Sequence, residues 1–416
     1  MYRAPRGTAD VLPEEQGYWR YIEAKARALG QRFGYRRLDT PVFEQTSLFV
    51  RGVGQGTDIV EKEMYSFQDR GGDSMTLRPE GTAPVCRAYL EHGMHNQPQP
   101  VRLYYFSPAF RYERPQAGRY RQHHQFGVEA LGDGDPSVDA EVVEMAWQLM
   151  KDMGFQGFNL LLNSIGDALC RPAYLEQLKG YYAPQVTHLC QDCKGRLERN
   201  PLRLLDCKQE SCQALAQQAP RSIEHLCPPC LEHWEELLQS LQRLDIPFRV
   251  EPRLVRGLDY YTRTVFEVQP PDEGGQSTIC AGGRYDGLIQ ELGGPPTPGI
   301  GFAAGMERMV LNLKRQGIPV PQEGSPRAVV AYLGDEAKGE ALSLASRLRS
   351  NGIWAVLAPA GRSLRAQLRY ANSLGVPYAL ILGEDEIRRG AVVLRDMAKG
   401  EQREVPLQGV SEELAS

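Results

Sequence analysis

Apolar residues recur at helical spacing over residues 13–33, where Tyr18, Ile22, Ala26 and Leu29 share one face and Gly34 stands where a helix-ending glycine belongs. The pattern then changes. Leu38-Asp39-Thr40-Pro41-Val42-Phe43 is an extended run whose proline predicts an edge strand, either a plain edge or a surface offered to a second subunit. Residues 63–78 read as a hairpin turning at Arg70-Gly71-Gly72-Asp73, with a helix over about 83–91 after it. Two longer stretches predict paired strands joined by a loop containing Pro115 and Gly118. One runs over 103–111; in the other His124, Phe126 and Val128 alternate with Gln125, Gly127 and Glu129, which share the opposite face. An amphipathic helix is expected over 138–153, ended by Gly154, and a strand over 158–163.

From about 166 to 244 the alternation gives way to helical spacing rich in Gln and Cys, which reads as an insertion interrupting a sheet that resumes at Phe248. A Pro/Gly stretch over 319–326 predicts a domain boundary. Beyond it strands at 328–333, 353–357, 378–382 and 391–394 alternate with helices at 336–349 and 364–374. The expectation is an α+β domain over 1–322, built on a central antiparallel sheet with a helical insertion, then a small α/β domain over 327–416. On the second helix of that domain Arg362, Arg365 and Arg369 fall on one face, which suits either plain solvation or contact with RNA.

Composition narrows the class. The 416 residues are 42% hydrophobic and 24% charged, enough for two or three soluble globular domains. A formal charge of −4 excludes a globally basic nucleic-acid binder and leaves a local basic surface open. The first 20 residues carry no apolar signal region and no run approaches the roughly 20 apolar residues of a membrane span, so a cytoplasmic protein without membrane contact is expected.

Charge and aromatic residues concentrate in a few places. Arg256-Gly257-Leu258-Asp259-Tyr260-Tyr261 sets a planar cationic fork beside two rings with hydroxyls, a combination that suits a small polar ligand with a flat ring. Within this hexapeptide Asp259 is a candidate to orient Arg256. Glu80, with Gly81 and Thr82 after it, suits a ligand ammonium or simply caps the helix that follows. Arg111, Arg114, Arg119 and Arg121 crowd a strand end and the adjoining loop, a local cationic site calling for an anion. Gly299, Gly301 and Gly305 are spaced GxGxxxG, which is not a dinucleotide fingerprint, but Arg308 just beyond them sits where a strand runs into a helix and can reach phosphate. No GxxxxGK[ST] loop is present, which argues against that type of nucleotide site. Arginines without a nucleophile and its base suit phosphoryl or nucleotidyl transfer, where positioning and charge neutralisation do most of the work.

Six of the nine cysteines (Cys190, Cys193, Cys207, Cys212, Cys227, Cys230) lie in one window of the insertion. Cys190/Cys193 and Cys227/Cys230 are two CxxC knuckles able to build a tetrahedral zinc site, with Cys207 and Cys212 as a competing pair and reduced, metal-free thiols as the alternative.

Taken together, PRGTADVLP, GYRRLDTPVFE, FRYERPQAGRYRQHHQFGVE, RGLDYYTRTVFE, AGGRYDGL, GIGFAAGMERMV and SLRAQLRYANSLGVPYALILG resemble, in order and over nearly the whole chain, the motifs of histidyl-tRNA synthetase, a class II aminoacyl-tRNA synthetase. The resemblance implies ligation of L-histidine to tRNA(His), with ATP and Mg²⁺ and through a histidyl-adenylate, by a homodimer. It implies that Glu80, Gly81, Thr82, Gln125, Glu129, Tyr260 and Tyr261 hold histidine, with Glu129 and Tyr261 at the imidazole. It further implies that Arg111 binds the α-phosphate, Arg308 the γ-phosphate, and Arg256 bridges the carboxylate and α-phosphate. Glu113, Arg119 and Gly305 would complete the ATP site, and Gln116, Arg119, Arg362, Arg365 and Arg369 would face tRNA. Tyr112 departs from the histidine that many relatives carry there, and zinc is not among the things the resemblance carries over.

Overall fold

The computed structural model describes residues 2–54, 56–114, 118–270, 278–321 and 324–415. The chain divides into two compact units, Met1–Pro321 and Gln322–Ser416. Among the described residues no helix is long and apolar enough to cross a membrane.

The first unit opens with α1 (Gln16–Arg32), which buries Ile22, Ala26 and Leu29 as the periodicity predicts. β1 (Arg36–Arg37) and β2 (Phe43–Gln45) flank the run expected as one edge strand. That strand is interrupted: Leu38 still donates to the Tyr104 carbonyl at 2.9 Å, but Pro41 has no N–H to continue the ladder and the chain leaves for a different sheet. After α2 (Thr46–Val53), the hairpin of β3 (Tyr65–Gln68) and β4 (Ser74–Leu77) pairs with β2 in a small three-stranded sheet. α3 (Thr82–Glu91) follows.

The large sheet then takes shape from β5 (Val101–Phe110), β6 (Gln122–Leu131), α4 (Pro136–Asp152) and β7 (Asn159–Ser164). Between Ser164 and Arg249 the regular elements are helical: α5 (Arg171–Tyr182), α6 (Gln191–Arg199), α7 (Glu210–Ala216) and α8 (Pro228–Arg243). The sheet resumes with β8 (Arg249–Val250), β9 (Thr262–Gln269) and β10 (Cys280–Arg284), then α9 (Leu288–Glu291), β11 (Gly299–Gly305) and α10 (Met306–Arg315). Among the described residues its order is β1-β5-β6-β11-β10-β9-β7-β8, antiparallel except for the two outermost pairs.

Strand alternation gives this sheet two unlike faces. On one, Phe126, Val128, Phe266 and Phe302 pack under Leu29 of α1, Val142 and Leu149 of α4, Leu237 of α8 and Met309 of α10. Each such buried side chain contributes about 1.5–3 kcal/mol, which makes this layer the rigid backing of the molecule. A polar tie runs through it. Arg284, fully buried on β10, donates from Nε to Asp139 on α4 at 2.9 Å, and Asp139 also accepts from Thr264 at 2.6 Å and meets His233 of α8 at 2.8 Å. The other face buries Leu103, Leu161 and Val265 under a second apolar layer that includes Tyr89 of α3 and Leu178 of α5, and holds a cavity beside it.

The second unit carries β12 (Ala328–Tyr332), α11 (Asp335–Ser350), β13 (Ala355–Leu357), α12 (Leu364–Ser373), β14 (Tyr378–Leu382), α13 (Glu384–Arg388), β15 (Ala391–Asp396), β16 (Gln402–Pro406) and α14 (Val410–Ala415). The sheet order is β13-β12-β14-β15-β16, parallel across the first three strands and antiparallel across the rest. α12 is fastened to it by buried Gln367, which accepts from the Tyr332 N–H at 3.0 Å and donates to the Tyr332 carbonyl at 2.8 Å. With that side chain turned inward, Arg365 and Arg369 lie exposed on the helix, and Arg362 is exposed just ahead of the Ser363 N-cap.

Candidate active site

The cavity face is a grid fixed by strand register. Its middle row runs Glu267, Ala281, Ala303, Gly127, Tyr105 across β9, β10, β11, β6 and β5. One step along the strands, about 6.6 Å away, comes the row containing Gly301 and Glu129; on the other side lies the row containing Gly305 and Gln125. Side chains at the ends of the middle row and almost none in its centre make a trough. Small residues are required there. A Cβ on Gly127 would stand 2.1 Å from the Tyr105 ring, and one on Gly301 would stand 1.9 Å from a Glu129 oxygen. The resulting cavity, about 260 Å³, brings together Glu80, Gly81, Thr82, Arg111, Glu113, Arg119, Gln125, Arg256, Tyr260, Tyr261, Gly305 and Arg308, with Glu129 beneath its floor.

The end around Glu129 is enclosed and rich in hydroxyls. Glu129 accepts from Thr82 at 2.8 Å and Tyr105 at 3.1 Å, and its other oxygen accepts from Tyr285. Burial pushes its carboxyl up to about 8, against the pull of the Tyr285 and Thr82 hydroxyls. Burial also raises the hydroxyls of Tyr105, Tyr260 and Tyr285 well above their ordinary value, so all three remain donors. Tyr260 and Tyr261 pack at 4.7 Å between ring centroids. Buried Glu80 caps α3, accepting from the Thr82 and Ala83 N–H groups at 2.6 and 2.9 Å, while facing the same cavity. The Oε1 of Gln125 is buried without a protein partner.

The other end is cationic. Arg111 is oriented by the Pro79 carbonyl at 2.8 Å, Arg308 by the Gly118 carbonyl at 3.2 Å and by the Thr278 carbonyl, and Glu113 pairs with Arg119 at 3.1 Å. His123, on the same wall, is lowered to about 3 by burial and by Arg111 and Arg308, so it stays neutral. Arg114 and Arg121, counted with this cluster in the sequence, do not line the cavity: Arg121 instead lies 3.7 Å over the Tyr112 ring. Gln116 lies outside the described residues.

Between the two ends stands Arg256. It is paired with Glu267 of the middle row and lies 5.7 Å from the Tyr261 ring centroid, and its Nε is buried without a protein partner. Asp259 does not orient it. That carboxylate turns away to accept from Asn200 at 2.6 Å, so the orienting acid is Glu267, distant in sequence and brought back by β9. Tyr105, His123, Glu267 and Tyr285 are the site residues sequence reasoning missed. Tyr285 stood inside a quoted motif, and Tyr105 inside a stretch that read only as strand.

The cysteines correct the expected zinc set. Cys190 and Cys193 do not meet Cys227 and Cys230. Cys190, Cys193, Cys207 and Cys212 converge with all ligand atoms within 4.8 Å of one another, and Cys227 and Cys230 converge separately with Asp167 and Cys170. The reason is the helical path. Cys190 caps α6 and Cys227 stands at the N-cap position of α8, and the loop after α6 together with α7 brings Cys207 and Cys212 back to the first knuckle before the second is reached.

A buried carboxyl ringed by hydroxyls can grip N–H groups, and four arginines facing one trough can neutralise an anion. Known proteins are similar over nearly the whole chain. A family model for histidyl-tRNA synthetase matches residues 7–309 and one for an anticodon binding domain matches 327–416. A histidine--tRNA ligase of Dehalococcoides mccartyi is 58% identical over 407 residues, covering 98% of this chain and 97% of its own, and one of Desulfitobacterium hafniense is 51% identical over 408, covering 98% and 96%. The crystal structure of apo S. aureus histidyl-tRNA synthetase superposes with a TM-score of 0.82 at 38% identity, covering 100% of both chains. With this fold, this motif order and relatives matched from end to end, the chain belongs to the histidyl-tRNA synthetase family.

Proposed function

We propose that the protein is a histidine--tRNA ligase that activates L-histidine with ATP and transfers it to tRNA(His), releasing AMP and pyrophosphate. The observation that carries this reading is Arg256, held by Glu267 between a hydroxyl-lined carboxyl and an arginine cluster in one trough. Histidine lies with its imidazole toward Glu129 and Tyr261, and its amino group is held by Glu80, Thr82 and Gln125, whose orphan oxygen accepts a donor. Tyr260 and Gly81 close the same end. A site that hydrogen-bonds both ring nitrogens rejects analogues that leave its buried polar groups unpaired.

Arg256 then bridges the substrate carboxylate and the α-phosphate, which Arg111 grips from the far side, while Arg308 takes the γ-phosphate and Glu113, Arg119 and Gly305 complete the ATP site. The carboxylate attacks phosphorus in line, charge grows on the non-bridging oxygens, and Arg111 and Arg256 neutralise it. Members of the family use ATP with Mg²⁺; the Glu113 carboxylate, facing the cationic end, would offer it an oxygen donor, and the ion would add neutralisation of the departing pyrophosphate. The ribose hydroxyl of tRNA next attacks the adenylate carbonyl and AMP leaves.

Arg362, Arg365 and Arg369 on the second unit, and Gln116 and Arg119 near the trough, are the tRNA-facing residues in this reading. A homodimer goes with it: Phe43 and Phe67 of the small sheet are exposed and lie edge to face at 6.4 Å, an apolar patch suited to a second copy. A structural Zn²⁺ on Cys190, Cys193, Cys207 and Cys212 also belongs to it. Cys190 and Cys207 sulfurs stand 3.8 Å apart, the edge of a tetrahedron with Zn–S of about 2.3 Å, and the Cys193 and Cys190 N–H groups donate to the Cys190 and Cys212 sulfurs at 3.5 and 3.3 Å.

The test is histidine-dependent ATP–pyrophosphate exchange, then charging of tRNA(His). Exchange with histidine and with no other amino acid is expected; a folded, ATP-binding preparation without exchange overturns the reading.

A further inference from the structure

The second cysteine cluster lies at the neck of the helical insertion. Asp167 and Cys170 stand just after β7, where the insertion leaves the sheet, and Cys227 and Cys230 open α8, its last helix. Their four ligand atoms lie within 4.8 Å of one another. The Asp167 Oδ1 is 3.6 Å from the Cys170 sulfur and 4.0 Å from the Cys227 sulfur. A tetrahedral ion with one oxygen at about 2.0 Å and three sulfurs at about 2.3 Å has O···S edges of about 3.5 Å. The cluster is therefore within small side-chain adjustments of a closed coordination sphere.

Three further features suit a bound cation. Both ligand pairs have the two-residue spacing of a zinc knuckle, and each occupies a helix start: Cys170 is the N-cap of α5 and Cys227 of α8, where Pro228 and Pro229 fix the first turn and bring Cys230 round to the same side. The backbone is shaped to the sulfur. Gly166 has φ +67°, and a Cβ there would stand 2.6 Å from the Cys170 Sγ. The charge also balances. Three thiolates and a carboxylate around a divalent ion leave a net charge of −2. Arg263 faces it, pairing with Asp167 at 3.4 Å, and Arg171 stands beside it, donating to the Gly166 carbonyl at 2.9 Å. Thiolate donors select a borderline-soft ion of the zinc class over Mg²⁺ or Ca²⁺.

We propose that Asp167, Cys170, Cys227 and Cys230 form a second zinc site, which ties the first and last helices of the insertion together behind the trough. Its reach to the trough is direct. Arg171, next to Cys170, donates to the Tyr261 carbonyl at 2.6 Å, and Arg263, two residues beyond Tyr261, donates its N–H to the Gly166 carbonyl at 2.7 Å. Metal at the neck fixes the backbone that carries Tyr261, while the four-cysteine cluster fixes α6 farther out. The site is independent of the proposed ligase chemistry, since neither its ligands nor its metal touch the trough.

The experiment is a zinc count on the full chain, purified under reducing conditions, by elemental mass spectrometry. Two zinc ions per chain are expected in the wild type, one in Cys227→Ser and one in Cys212→Ser. A Cys212→Ser chain that holds no zinc, a Cys227→Ser chain that keeps the wild-type count, or a Cys227–Cys230 disulfide found by peptide mapping overturns the proposal. A substitution that simply prevents folding does not end the matter, because the wild-type chain, stripped of metal and titrated with Co²⁺, gives a second readout. Thiolate-to-cobalt charge transfer rising through two equivalents supports the site; its absence in Cys212→Ser, where the other cluster is broken, overturns it.

Discussion

Thr82 donates its hydroxyl to Glu129 at 2.8 Å, joining the first turn of α3 to the centre of the large sheet through a carboxyl with no access to solvent. That carboxyl takes up its proton at about pH 8 in the folded chain, against 4.5 for an ordinary glutamate. Between these values the folded state holds a proton that the unfolded state has released. Stability therefore falls as pH rises from about 4.5 to about 8 and levels off above, with a slope of at most about 1.4 kcal/mol per pH unit from this group. In Glu129→Gln the ligand-free chain is expected to lose that part of the slope, so its Tm exceeds wild type most at pH 8–9 and least near pH 5. Thermal melts of both proteins across that range check it; a constant offset at every pH contradicts the titration.

Arg256 and Glu267 make a paired prediction. Arg256→Ala removes charge stabilisation where it develops during adenylate formation, and a loss of roughly 10²–10³-fold in the exchange rate is expected, with a much smaller change in histidine affinity. Glu267→Gln keeps the arginine and releases its anchor, so its loss is smaller and falls on the same step. Pre-steady-state adenylate formation and equilibrium histidine binding separate the two quantities. Equal loss of both in Arg256→Ala contradicts the bridging role.

On the second unit, Arg365 and Arg369 are turned outward by the inward anchor of Gln367. Replacing both with Glu is expected to raise KM for tRNA(His) about tenfold and to flatten its salt dependence, by about 0.7–0.9 in log–log slope per lost phosphate contact. Pyrophosphate exchange without tRNA stays unchanged. An unaltered KM leaves these arginines as a solvated face.

How far the sequence carries depends on the kind of relationship. α1, the hairpin of β3 and β4, and the β5–β6 pair are written in local periodicity and turn residues, and the sharing of one face by Gln125, Gly127 and Glu129 follows from alternation alone. Relationships between distant segments are not written that way. Glu267 as the partner of Arg256 depends on how the chain folds back onto β9, and Asp259, nearer in sequence, was the reasonable and mistaken candidate. Tyr105 became a site residue only through the register that sets it opposite Gly127. The two CxxC knuckles were legible as knuckles, but which thiols each one meets depends on where α6 and α8 begin in space. Leu38 to Phe43 failed for a local reason that was visible beforehand, since Pro41 cannot extend a ladder.

The network of Asp139 and Arg284 gives the last test, and it concerns the backing of the site. Both side chains are fully buried, and Asp139 is held below the ordinary carboxylate range by Arg284 and His233 in spite of its burial. Asp139→Asn removes the buried partner of Arg284 between α4 and the sheet and leaves Asp286, half-buried at 2.9 Å, as its one remaining carboxylate; a broken buried pair costs about 3–5 kcal/mol, and Asp286 holds this loss toward the lower end. Replacing both partners, as in Asp139→Leu/Arg284→Met, removes the buried charge along with the pair and is expected to cost less than Asp139→Asn alone, even though it changes more atoms. Urea unfolding followed by near-UV circular dichroism of the first unit measures the difference. If the double variant is the less stable of the two, the pair contributes net attraction beyond its own desolvation, and the tie between α4 and β10 stabilises the fold directly instead of only penalising its disruption.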